Sequence, residues 1–301
     1  MTVLTRRKRF RDLVAADELL IMPGAYDGLS ARIIEQAGFG AVTAGGYAAI
    51  GSMLGEPDGG QSNMRDMADH YARIVDAVDI PVYIDADTGF GGVHNVARMV
   101  RAFEATGAAG LFFSDQVFPN RCGYLPGKEV VPPQIMLSRI AAALDARTDA
   151  SFFIGTRTDC LSLTGLDDAV ERCQMFMQAG VDMAKPQGAD TREQIARCMA
   201  EIPGPHFATL SQAAGNHPTG LEGMRELGVA AVTLPSIALF AAAQGVRDAI
   251  TELKLSGSVA GLGERLMPLP DYYALVGLDD FREREQAYDE RAAAVVNARR
   301  G

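Results

Sequence analysis

Residues 83–87 form a short apolar run that ends in two carboxylates, Asp85 and Asp87, with glycines close behind. Side chains two apart on a β-strand point to the same face, so the two carboxylates are expected to lie side by side. Neighbouring carboxylates repel, and the pKa of at least one rises unless a cation lies between them. Ligands that are all oxygen suit Mg²⁺ or Mn²⁺. An isolated pair with this spacing is also typical of a solvated turn, so the choice between a metal site and a turn depends on the rest of the sequence.

The composition limits the classes of partner. The formal net charge of −10 argues against a nucleic-acid partner, because phosphate binding needs a basic surface. No apolar stretch approaches the roughly 20 residues that span a bilayer, so no membrane partner is expected. The basic run at residues 6–9 is followed by no apolar segment of a secretory signal, and we expect it to form a solvated helix face. The cysteines show no C-x-x-C pairing, which indicates a reduced, cytoplasmic setting.

Short apolar runs alternate with amphipathic stretches along the chain. Strands are predicted at residues 19–22, 41–44, 82–85, 110–113, 152–156, 183–185, 207–210 and 230–234. Helices are predicted at residues 28–37, 64–78, 95–106, 133–146, 166–179, 192–201, 220–227 and 237–253. This series of strand–helix units predicts an α/β protein with a (β/α)₈ TIM barrel. A doubly wound open sheet is the alternative, but no G-x-G-x-x-G fingerprint follows the first strand.

Two segments are longer than a barrel needs. Residues 116–132 are rich in Pro, Gly and charge, and a loop of this length is typical of a lid. We expect residues 1–301 to form a single barrel domain, with residues 267–301 as a C-terminal helical extension. Within it, residues 279–298 carry a modest apolar stripe that could pack on a neighbouring subunit.

Barrel enzymes carry their catalytic groups at the carboxyl ends of the strands. Distinctive polar or glycine residues follow each predicted strand at that point: Asp27, Gly45, Gly46, Asp85, Asp87, Asp115, Arg157, Asp159, Gln187, Ser211, Gln212 and Ser236. Cys122 lies in the 116–132 loop beside Arg121, and a neighbouring cation lowers the pKa of a thiol.

Several segments, taken as a set, resemble the isocitrate lyase/phosphoenolpyruvate mutase superfamily. They are PGAYDGLSA at residues 23–31, GEPD at 55–58, DADTGFG at 85–91, DQ at 115–116, RCG at 121–123 and TRTD at 156–159. The resemblance runs from about residue 23 to residue 235, and the nearest branch is similar to the 2-methylisocitrate lyase and dimethylmalate lyase group.

The resemblance implies a (β/α)₈ barrel, a Mg²⁺ cofactor and a 2-oxo or 2-hydroxy carboxylate substrate. It also implies a C-terminal helix swapped between subunits of a homotetramer, a dimer of dimers. The family's metal carboxylates match Asp85 and Asp87, with Asp58 reaching the metal through water. Its catalytic residues match Cys122 on the lid and Arg157. The residues expected to bind substrate are Ala44, Gly45, Gly46, Asp85, Arg121, Gly123, Arg157, Gln187 and Thr209.

In such an enzyme the metal stabilises an enolate as a carbon–carbon bond breaks, and Arg157 binds the same carboxylate. The backbone amides of Gly45 and Gly46 are expected to donate to a developing oxyanion. Cys122 would act as general acid/base and protonate the carbanion of the leaving fragment.

The chain departs from the lyase pattern at several positions. Close relatives carry Lys-Arg-Cys-Gly-His where residues 120–124 read NRCGY. Ser114 and Gln187 each stand where a Glu is usual, and an expected arginine is replaced near Phe240. These changes remove negative charge around the metal and one binding site for a distal carboxylate, so we expect a substrate that is smaller or more apolar than the tricarboxylate 2-methylisocitrate.

The main prediction is a Mg²⁺-dependent carbon–carbon lyase that acts on a substituted malate-like 2-hydroxy or 2-oxo acid. Alternatives are oxaloacetate-type decarboxylation, phosphonopyruvate hydrolysis or phosphonomutase action, and a binding protein built on a barrel without activity. Cys122 favours the lyase, because the mutase branch usually has a Lys-x-Asn type of lid. Decarboxylation needs the metal but no lid acid.

Overall fold

The computed structural model describes residues 1–123, 125–211 and 217–299. The chain divides into two compact units, Met1–Ala241 and Ala242–Gly301. The first unit holds the strands that the described residues form: β1 Leu20–Pro23, β2 Val42–Ala44, β3 Val82–Asp85, β4 Gly110–Ser114, β5 Phe153–Thr158, β6 Met183–Pro186, β7 Phe207–Thr209 and β8 Ala231–Leu234. The prediction of one domain with an extension from residue 267 stays a prediction.

The strands are parallel and follow the cyclic order of a barrel. In the described residues, one sheet has the order β2-β3-β4-β5-β6 and the other the order β1-β8-β7. A bridge between Gly24 and Thr43 joins β1 to β2. At the remaining junction the Lys185 Nζ of β6 donates to the Thr209 Oγ1 of β7. The predicted (β/α)₈ barrel fold is confirmed.

Helices follow the strands on the outside of this barrel. One helix, α1 Val3–Ala15, precedes β1. The others in the described part of the first unit are α2 Gly28–Gln36, α3 Gly46–Leu54, α4 Met64–Ala77, α5 Val93–Ala105, α6 Pro133–Ala146, α7 Leu161–Thr164, α8 Leu166–Gln178, α9 Arg192–Glu201, α10 Gly220–Leu227 and the start of α11 Ile237–Ser256. Every predicted strand and helix is present, with ends shifted by a few residues. The short helices α3 and α7 were not predicted, since neither has a long enough apolar period to stand out.

An aromatic cluster fills the barrel at the amino ends of the strands. Phe10 of α1 is fully buried, and its ring lies 5.3 Å from that of Tyr83 and 5.4 Å from that of Phe153. Phe153 in turn stacks on Phe207 at 5.7 Å. Large apolar rings bury much surface, and offset or edge-to-face pairs add a little more. This end of the barrel is therefore a packed core, and the carboxyl ends of the strands are left for chemistry.

The basic run at residues 6–9 is not wholly a solvated face, so that prediction is wrong for Arg7. Arg7 is only 5% exposed. Its Nε donates to the Ala108 carbonyl at 3.0 Å, and its Nη1 donates to the Asp149 carboxylate at 2.8 Å. Its Nη2 donates to the Glu104 carbonyl at 2.6 Å. Arg7 thus ties α1 to the base of the barrel, while Lys8 next to it is exposed.

Replacing Arg7 by Met should lower the free energy of unfolding by roughly 3 kcal/mol, because it leaves buried carbonyls and the Asp149 carboxylate without their donor. Lys8→Met on the same helix is the matched control and should change it by less than about 0.5 kcal/mol. Urea denaturation at pH 7 measures both. Equal effects of the two substitutions would contradict the anchoring role.

The second unit is helical. It contains the rest of α11, a short 3₁₀ helix at Ala260–Arg265, α12 at Leu269–Leu275 and α13 at Leu278–Ala298. Phe281, Tyr288 and Val295 of α13 are each more than half exposed. Their spacing of seven residues is typical of a helix face that packs on another helix. No helix in the described part of the chain has the length and apolar character of a membrane span.

Candidate active site

A cavity of about 640 Å³, counted to include the open solvent at its mouth, lies at the carboxyl ends of the strands. Its lining contains nearly all the residues predicted to bind metal or substrate: Gly45, Gly46, Asp58, Asp85, Asp87, Arg121, Cys122, Gly123, Arg157, Gln187 and Thr209. Ala44 does not line this cavity and is buried in β2. The structure therefore brings together residues that are up to about 160 positions apart in the sequence.

Asp85 and Asp87 reach the cavity by different means. Asp85 is the last residue of β3, whereas Asp87 lies beyond the strand in the left-handed region, with φ +51°. The expectation that both carboxylates project from one strand is therefore wrong in detail. Asp tolerates the left-handed region better than most residues. The Asp87 amide donates to the Asp85 Oδ1 at 2.9 Å, which fixes the turn.

The two carboxylates converge on the first turn of α3. A Cβ added at Gly46 would lie 3.1 Å from the Asp87 Oδ1 and 3.7 Å from the Asp85 Oδ2. The Gly46 amide also points to the Asp85 Oδ2, at a long 3.5 Å. The amino end of a helix carries partial positive charge, which favours carboxylates there. Gly46 therefore keeps open the space in front of both acids.

A third carboxylate, Asp58, adds negative charge to the same cavity. Burial, together with the charge of Asp85, raises the pKa of Asp58 to about 6. Burial likewise raises the pKa of Asp87 well above its usual range, with further contributions from Asp85 and Asp58. Burial is also the main cause of the raised pKa of Asp85. The arrangement is costly without a cation, as the sequence predicts.

These residues fit a hard divalent cation. The Asp58 Oδ1 is buried and has no hydrogen-bond partner among the described atoms. Within the described ranges no three His, Cys, Asp or Glu side chains make a complete metal cage. Mg²⁺ does not need one, because it is usually held by one or two carboxylates together with water and substrate oxygens. Asp85 and Asp87 can supply direct ligands, with Asp58 acting through water.

Asn120 is a site residue that sequence reasoning missed. Its side chain is buried, and its Nδ2 donates to the Asp87 Oδ1 at 2.9 Å. This bond favours the charged form of Asp87 and so opposes the rise in its pKa. The sequence presents Asn120 as a departure from the lyase loop and as a faint echo of the Lys-x-Asn lid of the mutase branch, and neither interpretation indicates a bond to Asp87.

Arg157 is the cation that faces the acids. Its Nε donates to the Asp159 Oδ2 at 2.9 Å, and its guanidinium lies 5.7 Å from the centre of the Phe112 ring. Burial opposes the charge, but the carboxylates of Asp159 and Asp85 raise the pKa of Arg157. Arg157 therefore stays charged and held in place. It can bind a carboxylate through two parallel donors.

The 116–132 loop is held over the cavity by side chains at its base. Gln116 bonds the backbone of Arg121 twice, its Nε2 donating to the carbonyl and its Oε1 accepting from the amide, each at 3.0 Å. The Lys128 Nζ donates to the Gly123 carbonyl at 2.5 Å and lies 3.6 Å from the Asp159 carboxylate. These bonds place Cys122 at the cavity wall, half-buried. Residue 124, a noted departure from the family, lies outside the described residues.

Lys185 is the second site residue that sequence reasoning missed. The sequence pattern places Lys185 at the end of the strand predicted at residues 183–185 and assigns it no role, yet it lines the cavity and is only 5% exposed. Burial, with the nearby charge of Arg157, lowers the pKa of Lys185 to about 7. A lysine inside an otherwise apolar strand, two residues before Gln187 and so on the same face, was the available signal.

Other polar residues at the strand ends have structural roles. Asp27 caps α2, and its Oδ1 accepts from the Ser30 amide at 2.8 Å. Asp115 is buried beside the site and accepts from the Thr158 hydroxyl at 2.6 Å and from Arg172 at 3.2 Å. Neither lines the cavity. A position at the carboxyl end of a strand places a residue near the site, but the direction of its side chain determines whether it lines the cavity.

The fold and this cavity define a (β/α)₈ barrel protein with an enzyme-type site at the carboxyl ends of its strands. A family model described as phosphoenolpyruvate phosphomutase matches residues 10–254, and the chain belongs to this family. The resemblance seen in the sequence is thereby confirmed.

Two lyases are among the proteins with a similar sequence. The chain is 33% identical to 2,3-dimethylmalate lyase of Eubacterium barkeri, over 93% of this chain and 97% of that protein. It is 35% identical to a probable 2-methylisocitrate lyase of Corynebacterium glutamicum, over 93% of this chain and 92% of that protein.

The solved structures with a similar fold include two complexes. Oxaloacetate acetylhydrolase bound to the inhibitor 3,3-difluorooxalacetate superposes with a TM-score of 0.89 at 30% identity, over 95% of this chain and 98% of that one. Phosphonopyruvate hydrolase bound to oxalate and Mg²⁺ superposes with a TM-score of 0.84 at 27% identity, over 96% and 99%.

Saturating Mg²⁺ should raise the free energy of unfolding by about 2.7 kcal/mol at 100 times its dissociation constant. Asp87→Asn should lose most of that gain, because it removes a ligand. Without Mg²⁺ this variant should be at least as stable as the wild type, since it removes a repelled, buried charge.

The matched control is Asp76→Asn on the exposed face of α4, which should respond to Mg²⁺ like the wild type. Chemical denaturation with and without Mg²⁺ measures all three proteins. The same gain in all of them would show that the ion binds elsewhere.

Proposed function

We propose that the protein is a Mg²⁺-dependent carbon–carbon lyase that cleaves a substituted malate-like 2-hydroxy or 2-oxo carboxylic acid. The observation that carries this proposal is the group of Asp58, Asp85 and Asp87, of which Asp58 and Asp87 are buried. The three acids share one cavity with Arg157, whose guanidinium is held by Asp159. When bound, Mg²⁺ would supply Lewis-acid polarisation and neutralise the charge that develops as the bond breaks.

Arg157 would orient the substrate. Its Nε is held by Asp159, so the guanidinium plane is fixed before the substrate arrives. A planar fork of donors matches a carboxylate and places the neighbouring carbon at a defined distance from the acids. The amides of Gly45 and Gly46, at the amino end of α3, would donate to an oxygen that gains charge, with the Gly46 amide exchanging its long 3.5 Å contact to Asp85 for that oxygen.

Cys122 would give a proton to the carbanion of the leaving fragment. Its thiol is close enough to Arg157 to contribute to the raised pKa of that arginine. The loop that carries it is tied by Lys128 to Asp159, the residue that also holds Arg157. Substrate binding at Arg157 and closure of the loop would therefore act on one connected network, and closure would exclude water.

The comparisons support this proposal through the named activities of the relatives. Dimethylmalate lyase is named for a substituted malate, and the phosphonopyruvate hydrolase complex holds Mg²⁺ with oxalate. The alternatives in the same family are oxaloacetate-type decarboxylation and phosphonopyruvate hydrolysis or phosphonomutase action. They share the need for a metal and a carboxylate-binding arginine, so Cys122 is the residue that discriminates between them and the lyase.

We also propose a cytoplasmic homotetramer, a dimer of dimers with swapped C-terminal helices, and a small-molecule carboxylate substrate. The exposed, heptad-spaced Phe281, Tyr288 and Val295 of α13 support the oligomer, because such a face is usually covered. No disulfide joins the cysteines in the described part of the chain, which is in keeping with the proposed reducing compartment.

Replacing Cys122 by Ser should lower kcat for the preferred acid by about 10²- to 10⁴-fold, because the general acid is removed. Binding of oxalate in the presence of Mg²⁺ should change by less than about 3-fold, since the metal and Arg157 are intact. A panel of 2-hydroxy and 2-oxo acids, assayed by product formation with Mg²⁺, identifies the preferred acid.

Leu125→Ser is the matched control, because Leu125 is an exposed residue of the same loop and does not line the cavity. It should retain turnover. Unchanged turnover in the Cys122 variant would favour decarboxylation over the lyase. Efficient cleavage of 2-methylisocitrate by the wild type would contradict the predicted smaller or more apolar substrate.

A further inference from the structure

Lys185 is a buried amine that the proposed reaction does not use. It lies on β6, lines the cavity and is only 5% exposed. Its Nζ donates to the Thr209 Oγ1 of β7, and that hydroxyl lies 3.1 Å from the Thr233 Oγ1 of β8. The amine is therefore held at a defined place in the wall of the cavity.

The described residues give this amine no counter-ion. In the described ranges no carboxylate lies within 4.0 Å of the Lys185 Nζ, because the nearby Asp159 pairs with Arg157 and Lys128 instead. Gln187, two residues further along, is neutral. Burial, together with the charge of Arg157, lowers the pKa of Lys185 to about 7. A substantial share of the protein therefore carries an uncharged amine at neutral pH, and the uncharged amine is the nucleophilic form.

Arg157 lies beside Lys185 on the neighbouring strand. The two residues are register partners on β5 and β6, and both line the cavity. Adjacent strands lie about 4.8 Å apart, and register partners point to the same face of a sheet. The Arg157 Nε is bonded to Asp159, and the guanidinium has further N–H groups to donate. A guanidinium and an amine thus lie side by side in the cavity wall.

This pair matches the two polar groups at one end of a 2-oxo acid. Such an acid carries its carboxylate directly on the carbon of a carbonyl group. A carboxylate bound by Arg157 would bring that carbonyl carbon close to the amine on the next strand. A lysine that a desolvated site keeps uncharged attacks such a carbon and forms an imine.

We propose that Lys185 forms an imine with a small 2-oxo acid whose carboxylate is bound by Arg157. The Lys185 Nζ bonds to the carbonyl carbon, and a carbon–nitrogen double bond replaces the carbon–oxygen double bond. Both hydrogens of the amine leave with the carbonyl oxygen as water. The step therefore needs no oxidant and no reductant, and water reverses it.

The imine goes beyond the proposed lyase reaction. Cleavage of a 2-hydroxy acid between its second and third carbons turns the hydroxyl carbon into a carbonyl, so that reaction would itself leave a 2-oxo acid in this cavity. The imine holds that product until water releases it. Its formation needs Arg157 but not the metal, so it can be measured apart from turnover.

The test traps the imine by reduction. The full-length protein is incubated at mildly alkaline pH with pyruvate and cyanoborohydride, which reduces an imine to a stable amine, and mass spectrometry of its peptides gives the rate at each lysine. Acetone is the matched probe, because it has the same carbonyl with a methyl group in place of the carboxylate. The chain has four lysines, so three serve as internal controls. Lys8 and Lys254 are exposed, and Lys128 is paired with Asp159.

Pyruvate should label Lys185 about 10- to 100-fold faster than Lys8 or Lys254, because an exposed lysine with the usual pKa is almost wholly charged at this pH. Acetone should label Lys185 about 10-fold more slowly than pyruvate does, as expected when a charged hydrogen bond is missing. Arg157→Gln should bring the rates with the two probes to within about 3-fold of each other.

Two results would overturn the inference: labelling of Lys185 no faster than that of Lys254, and equal rates with pyruvate and acetone in the wild type. Both are measured on the wild type, so they decide the matter even if Arg157→Gln does not fold. Labelling of Lys185 by pyruvate, without turnover of any acid in the panel, would contradict the proposed lyase and support the imine. Turnover without labelling would support the lyase and overturn the imine.

Discussion

Asp58, Asp85 and Asp87 place three carboxylates in one cavity, and their mutual repulsion is the constraint around which the site is built. Burial alone would drive protons onto them, which would leave no site for a hard cation. The turn after β3 and the hydrogen bond from the Asn120 amide hold the acids in place despite this repulsion, and the absence of a side chain at Gly46 leaves room for them. Such sites usually sacrifice some stability for a prepared geometry.

Packing at the amino end of the barrel stabilises the fold and offsets the destabilising effect of the clustered carboxylates. Phe10 and the aromatic rings of β3, β5 and β7 form a packed layer, and Arg7 fastens α1 to the same region. The site end is held by polar contacts instead, with Asp159 joining Arg157 to the loop through Lys128. A packed base with functional groups on loops at the other end is the usual arrangement of barrel enzymes.

The sequence predicts the strands, the barrel and the convergence of Asp85, Asp87 and Arg157, because the carboxyl ends of parallel strands must meet at one edge. It does not predict the burial of Arg7 or Lys185. Periodicity treats a charged residue as exposed, and only its tertiary neighbours show that a partner is present. The sequence also does not predict that Asp27 caps a helix or that Asp115 bonds Thr158 away from the cavity. Side-chain direction at a strand end depends on the residue at which the strand ends.

The most direct test of the account is the number of protons released when Mg²⁺ binds, measured by calorimetry in buffers of different ionisation enthalpy. The pKa of Asp58 is raised to about 6, and burial raises that of Asp87 well above its usual range, so at mildly acidic pH these carboxyls hold protons that a bound cation must displace. The account predicts proton release near pH 6 that declines toward pH 9 and is reduced in Asp87→Asn. Binding of Mg²⁺ with no proton release at any pH, or no binding at all, would contradict it.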